Sequence, residues 1–126
     1  MAHTPPSVVY FEIPVTDLDR AIAFYEAVLG ARLIRESIDG YDMALFEDVA
    51  PGGGISGALA RGDVYRPSTA GAIVYFGVED IDAVLQRAEA RGGEVLYPKT
   101  AIGPRGFVAE IRDSEGNRIA LHAPAS

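Results

Sequence analysis

The 126-residue chain contains no cysteine. That excludes structural disulfides, thiolate metal sites and a cysteine nucleophile, and it suits a reducing, cytoplasmic setting. Basic residues are also scarce: 11 Lys plus Arg stand against 18 Asp plus Glu, a formal charge of −7. Sequence-independent nucleic-acid affinity comes mainly from cation–phosphate contacts, so this balance argues against a nucleic-acid partner. An acidic surface favours cationic ligands only weakly, because most such charge simply keeps a protein in solution. Long apolar runs are missing as well. No stretch approaches the roughly 20 apolar residues of a membrane span, and MAHTPPSVVYF at the start has neither a basic leader nor an apolar run of export length. A soluble cytoplasmic protein with no membrane partner is expected. The glycines at 52–54 lack the lysine and hydroxyl that would make them a phosphate loop.

What the chain does contain is one pattern written twice. Residues 11–33, FEIPVTDLDRAIAFYEAVLGARL, overlay residues 74–96, VYFGVEDIDAVLQRAEARGGEVL, at a constant offset of 63. Val15, Asp17, Asp19, Glu26, Ala27, Gly30 and Leu33 recur as Val78, Asp80, Asp82, Glu89, Ala90, Gly93 and Leu96. Each unit is too small to bury its own apolar face, so the two should share a core and a cleft within one domain.

Within the first unit, Phe11, Ile13 and Val15 alternate with Tyr10, Glu12 and Pro14, the period of a strand with one apolar face. Thr16 and Asp19 have capping-box spacing, and Leu18, Ala21, Ile22, Tyr25, Val28 and Leu29 then recur at helical intervals up to Gly30. Further strands are expected near 32–38, 41–47 and 54–60, and 61–70 is the connector. The second unit repeats the order: a strand at 72–78, a helix at about 80–92, and strands near 94–97, 106–112 and 117–122. Ser114-Glu115-Gly116-Asn117 supplies the last tight turn. Asp17, Asp19, Asp80 and Asp82 lie at helix starts, where caps and dipole partners belong. The expected class is α+β, with one module at about 8–60 and another at about 71–123.

The strings FEIPVTDLDRAIAFYEAVLGA, VYFGVEDIDAVLQRAEARGG and RDSEGNRIALH resemble the vicinal oxygen chelate superfamily. That superfamily holds glyoxalase I, extradiol dioxygenases, fosfomycin-modifying enzymes and bleomycin-binding proteins. The resemblance implies tandem βαβββ modules forming an open, cup-shaped mixed sheet with helices on its outer face, usually in a homodimer. It also implies four metal-ligand positions carrying His, Glu or Gln. Here they fall on Tyr10, Ala58, Ile73 and Ala120. Divalent ions need carboxylate, imidazole or amide donors at about 2.0–2.6 Å, and methyl or sec-butyl groups offer no lone pair. No metal and no other cofactor is therefore expected, and chemistry in the cleft would have to use side chains.

Strand parity places Tyr10, Glu12, Tyr75, Glu110 and His122 on the face of those four positions, with Phe11, Ile13, Val74, Phe76, Ile111 and Leu121 opposite. Glu12, between bulky apolar neighbours, reads as a partly desolvated carboxylate suited to a general base or a cation receptor, or else a scaffold partner of a nearby Arg or Tyr. His122 can exchange protons near neutrality, so Glu12 and His122 are the catalytic candidates. Tyr10 and Tyr75 can present rings and hydroxyls to a flat ligand, or fill the space a metal would occupy. Glu110 joins them as a ligand-binding candidate. Lys99 and Arg105 lie in the Pro- and Gly-rich PKTAIGPRGF, expected to be a loop at the cleft mouth that acts as a lid or anion anchor. Three readings follow. The first is metal-independent binding of a small amphipathic molecule, as in the bleomycin-binding relatives. The second is a lyase or isomerase using side-chain acid and base groups. The third is an accessory interaction domain.

Overall fold

A computed structural model describes residues 8–47 and 56–125, so the glycines at 52–54 lie outside the described residues. The chain runs β1 (Tyr10–Val15), α1 (Leu18–Leu29), β2 (Leu33–Ile38), β3 (Tyr41–Phe46), β4 (Ser56–Arg61), β5 (Tyr75–Gly77), α2 (Ile81–Ala90), β6 (Glu94–Ala101), a 3-10 turn at Gly103–Arg105, β7 (Phe107–Arg112) and β8 (Arg118–Ala123). The strands make two four-stranded mixed sheets of identical order, β1-β4-β3-β2 and β5-β8-β7-β6. In each, the first strand runs parallel to the last and the other pairs are antiparallel. This is the tandem βαβββ arrangement that the repeat predicts. No helix among the described residues is long and apolar enough to cross a membrane.

One core serves both modules. Ile13 and Val15 of β1, Leu59 of β4, Ile111 of β7 and Ile119 and Leu121 of β8 join Phe24, Tyr25, Val28, Ile81 and Val84 of the helices in a single buried cluster. Phe46 of the first sheet and Phe76 of the second pack against Tyr25 and each other, and Phe11 packs against both, with ring centroids 5.6–6.1 Å apart. Each fully buried aliphatic side chain contributes about 1.5–3 kcal/mol. Neither module supplies this cluster alone, which explains why a unit this short occurs as a pair.

A polar clasp adds to the apolar join. Glu115, in the β7–β8 turn, accepts the backbone N–H of Thr16 and of Asp17, both at 2.9 Å, and pairs with Arg20 at 2.7 Å. The buried Tyr25 hydroxyl donates to Asp113 at 2.6 Å, and Asn117 Nδ2 donates to the Pro14 carbonyl at 2.7 Å. Burial alone would push the Glu115 carboxyl up. The hydrogen bonds from Arg20, Asp17, Thr16 and Ser114 outweigh it and hold the carboxyl at about 2.

Several local expectations need correction. The N-cap of α1 is Asp17, accepting Arg20 N–H at 3.0 Å, and the Thr16 hydroxyl is turned to Glu115 instead. Gly30 closes α1 in the left-handed conformation, φ 68°. Its repeat partner Gly93 serves another purpose: a Cβ there would lie 2.9 Å from the Arg112 carbonyl and 3.2 Å from the Phe24 ring. β5 is shorter than 72–78, and β6 runs through Ala101 rather than stopping near 97, with two register shifts against β7. Lys99 therefore sits on a strand, and only Gly103–Arg105 forms the turn before β7.

Candidate functional site

Each sheet carries a face turned away from the helices, and register fixes its occupants. On the first sheet Glu12 pairs with Ala58 and Ala58 with Leu45; Pro14 pairs with Ala60 and Ala60 with Met43. Met43, Ala58 and Ala60 are buried under Ile38, Tyr41, Leu45 and Tyr65, a small apolar cluster separate from the main core. Above it the Tyr65 hydroxyl donates to Glu12 Oε1 at 2.9 Å and the Tyr10 hydroxyl donates to Oε2 at 3.1 Å. Met43 Sδ lies 4.0 Å from the Tyr10 hydroxyl, and the Tyr41 and Tyr65 rings meet edge to face at 5.4 Å. Gly62 permits that approach, since a Cβ there would sit 2.4 Å from Tyr41.

Glu12 is exposed in the single chain, not desolvated as its neighbours in sequence suggest, because the bulky flanking residues Phe11 and Ile13 point to the opposite face. Burial, then the hydrogen bond and charge of Glu12, push the Tyr10 phenol up to about 12. Tyr65 is raised too, first through its hydrogen bond to Glu12. Both phenols keep their protons at neutral pH and act as donors to the carboxylate.

On the second sheet Tyr75 and Glu110 both pair with Ala120, and Tyr97 pairs with Glu110. Glu110 forms an ion pair with Arg118, which also donates to the Thr69 carbonyl at 3.3 Å. His122 pairs with Gly77 and Val108, and its Nε2 lies 2.6 Å from the Arg105 carbonyl, tying the 3-10 turn to β8. Arg105 thus meets His122 through its backbone. Lys99 is directed elsewhere: its ammonium lies 3.1 Å from Asp82 of α2 and 4.9 Å from the centroid of the Phe107 ring, on the helix side of the sheet. The register shifts in β6 break the simple alternation that would have aimed it at Tyr75 and Glu110.

The structure therefore brings Tyr10 and Glu12 together on one sheet, and Tyr75 and Glu110 on the other, with His122 on β8 of that second sheet. Glu12 and His122 sit on different sheets. Sequence reasoning missed Tyr65, Tyr41, Met43, Tyr97 and Arg118. Tyr65 had a signal, an aromatic ring between Gly62 and Pro67 in a connector otherwise short of apolar anchors.

The four positions where a metal would be held do not fit one. Ala58 and Ala120 are fully buried methyl groups, Ile73 is aliphatic, and Tyr10 keeps its phenolic proton. Among the described residues no three His, Asp or Glu converge on a point.

Residues 7–121 match the Glyoxalase/Bleomycin resistance protein/Dioxygenase superfamily. A lactoylglutathione lyase of Haemophilus influenzae is 33% identical over 119 residues, covering 89% of this chain and 88% of that protein. TnmS3, an antibiotic binding protein from Streptomyces sp. CB03234, is 26% identical with a TM-score of 0.65, over 98% of this chain and 99% of that one. A glyoxalase I from Zea mays shares the fold, with a TM-score of 0.72 at 17% identity over 94% of this chain; the present chain spans about half, 47%, of the maize protein.

Proposed function

The chain belongs to the glyoxalase/bleomycin resistance protein/dioxygenase superfamily, and on that premise we propose that it binds a small amphipathic molecule without a metal. The observation that carries this reading is the replacement of donor atoms by Ala58 and Ala120 beneath a surface of tyrosines and carboxylates. Binding needs contact area and a few oriented polar groups, and Tyr10, Glu12, Tyr65, Tyr75 and Glu110 supply both. The 26% identity to an antibiotic binding protein over nearly the full length of both chains supports the same class of ligand. The single chain leaves Tyr10, Ile34, Tyr75 and Tyr97 exposed on the helix-free faces. A homodimer that covers part of this surface belongs to the proposal, and light scattering showing a monomer at working concentration would remove it.

The test is a thermal-shift screen against aromatic, amphipathic antibiotics and metabolites, with and without chelator. A ligand at 100 times its Kd should stabilise by about 2.7 kcal/mol and raise Tm by roughly 8–10 °C, equally in both conditions. No stabilisation across the library would overturn the reading. The 33% identity to a lactoylglutathione lyase favours a second one, a lyase or isomerase in which Glu12 or His122 moves a proton. It predicts formation of lactoylglutathione by chelated protein and its loss in Glu12→Gln or His122→Ala; turnover unchanged by either substitution would exclude those roles.

A further inference from the structure

The two helix-free faces differ in how their carboxylates are neutralised. Glu110 has Arg118 beside it. Glu12 has two phenol donors and, among the described residues, no cation within ion-pair distance. The cause is strand parity. Every residue of β1 to β4 that shares the Glu12 face is apolar, neutral or acidic: Tyr10 and Pro14 on β1, Ile34, Glu36 and Ile38 on β2, Tyr41, Met43 and Leu45 on β3, and Ser56, Ala58 and Ala60 on β4. The arginines of these strands, Arg35 and Arg61, fall on the opposite face, where Arg35 pairs with Asp19 of α1. The face thus carries two carboxylates and no balancing charge of its own.

We propose that the Tyr10–Glu12–Tyr65 cluster is a cation subsite that takes the ammonium or amidinium group of an aromatic ligand, the apolar part of which rests on Ile38, Tyr41 and Leu45, the half-buried side chains that cover Met43 and Ala60. The inference rests on the binding function proposed above and names the charge of the ligand. Two phenols, one on each oxygen, orient the carboxylate. The phenol oxygens that donate to Glu12 keep lone pairs able to accept from the same ammonium or amidinium group. The absence of a competing arginine means that the ligand's cation displaces water and not a protein charge, so no internal ion pair has to be broken.

The experiment compares two fluorescent probes on full-length protein, cationic acridine orange and anionic 8-anilinonaphthalene-1-sulfonate, with wild type, Glu12→Gln and Tyr65→Phe. Glu12→Gln should weaken acridine orange about tenfold, equivalent to about 1.4 kcal/mol, and change the anionic probe less than twofold. Tyr65→Phe, which removes one orienting donor, should weaken the cationic probe about threefold. Unchanged Tm in both variants shows that folding is not the cause. Retained acridine orange affinity in Glu12→Gln would overturn the cation subsite and leave the binding function standing, whereas failure of both probes to bind wild type would overturn both. If Glu12→Gln instead weakens self-association without affecting the dye, Glu12 is partnered by a second copy and the subsite is refuted.

Discussion

Replacing Glu115 by Gln should loosen the join between the two modules, and the size of the effect follows from what the side chain touches. Its carboxylate accepts two backbone N–H groups at the start of α1 and pairs with Arg20, and the side chain itself is shielded from solvent. A carboxyl held at about 2 against an ordinary 4.5 corresponds to at most about 3.4 kcal/mol. Arg20 is half exposed, so solvent screening reduces this to about 1.5–2 kcal/mol. Glutamine keeps the shape but offers an amide donor where Arg20 already donates. The sign is fixed by linkage. Because the folded-state value lies below the unfolded one, the stabilisation is fully present above about pH 5 and is lost as pH falls towards 2. Urea denaturation of wild type and Glu115→Gln from pH 7 down to pH 2.5 should give a difference of about 1.5–2 kcal/mol at neutrality that shrinks steadily on acidification. A difference constant across that range, or none at pH 7, would refute the reasoning.

Tyr25→Phe removes the 2.6 Å donor to buried Asp113, which then keeps Asn117 Nδ2 at 3.1 Å on that oxygen, and should cost about 1.5–3 kcal/mol in urea; a loss under 0.5 kcal/mol would mean the clasp is incidental. Gly40→Ala, at φ 80° with nothing nearby, should cost only the left-handed penalty of about 1–2 kcal/mol. Gly106→Ala, at φ 103°, places its Cβ 2.1 Å from the Ala123 carbonyl and should cost clearly more. Equal losses at the two glycines would show that the approach of the 103–106 turn to the end of β8 is not a constraint.

Much of the fold was legible because its signals are local and repeated. The alternation Phe11, Ile13, Val15 against Tyr10, Glu12, Pro14 assigns both faces of β1, and the same parity assigns Tyr75, Glu110 and His122 on the second sheet. The paired aspartates mark both helix starts. What parity could not show is which of those side chains meet. Tyr65 reaches Glu12 from a connector with no periodicity to read, and the Arg118 pairing with Glu110 depends on cross-strand register. Lys99 was misplaced because proline and glycine nearby suggested a loop, while β6 absorbs Pro98 by shifting register against β7. The exposure of Glu12 was misjudged for a simpler reason: neighbours in sequence along a strand are not neighbours on a face.

Crystals grown with a cationic aromatic ligand and with zinc or nickel, with anomalous data collected at the metal's absorption edge, put both halves of the account in one map. Ligand density should lie against Tyr10, Glu12 and Tyr65, with no anomalous peak among Tyr10, Ala58, Ile73 and Ala120. An ordered metal ion at those four residues would contradict it.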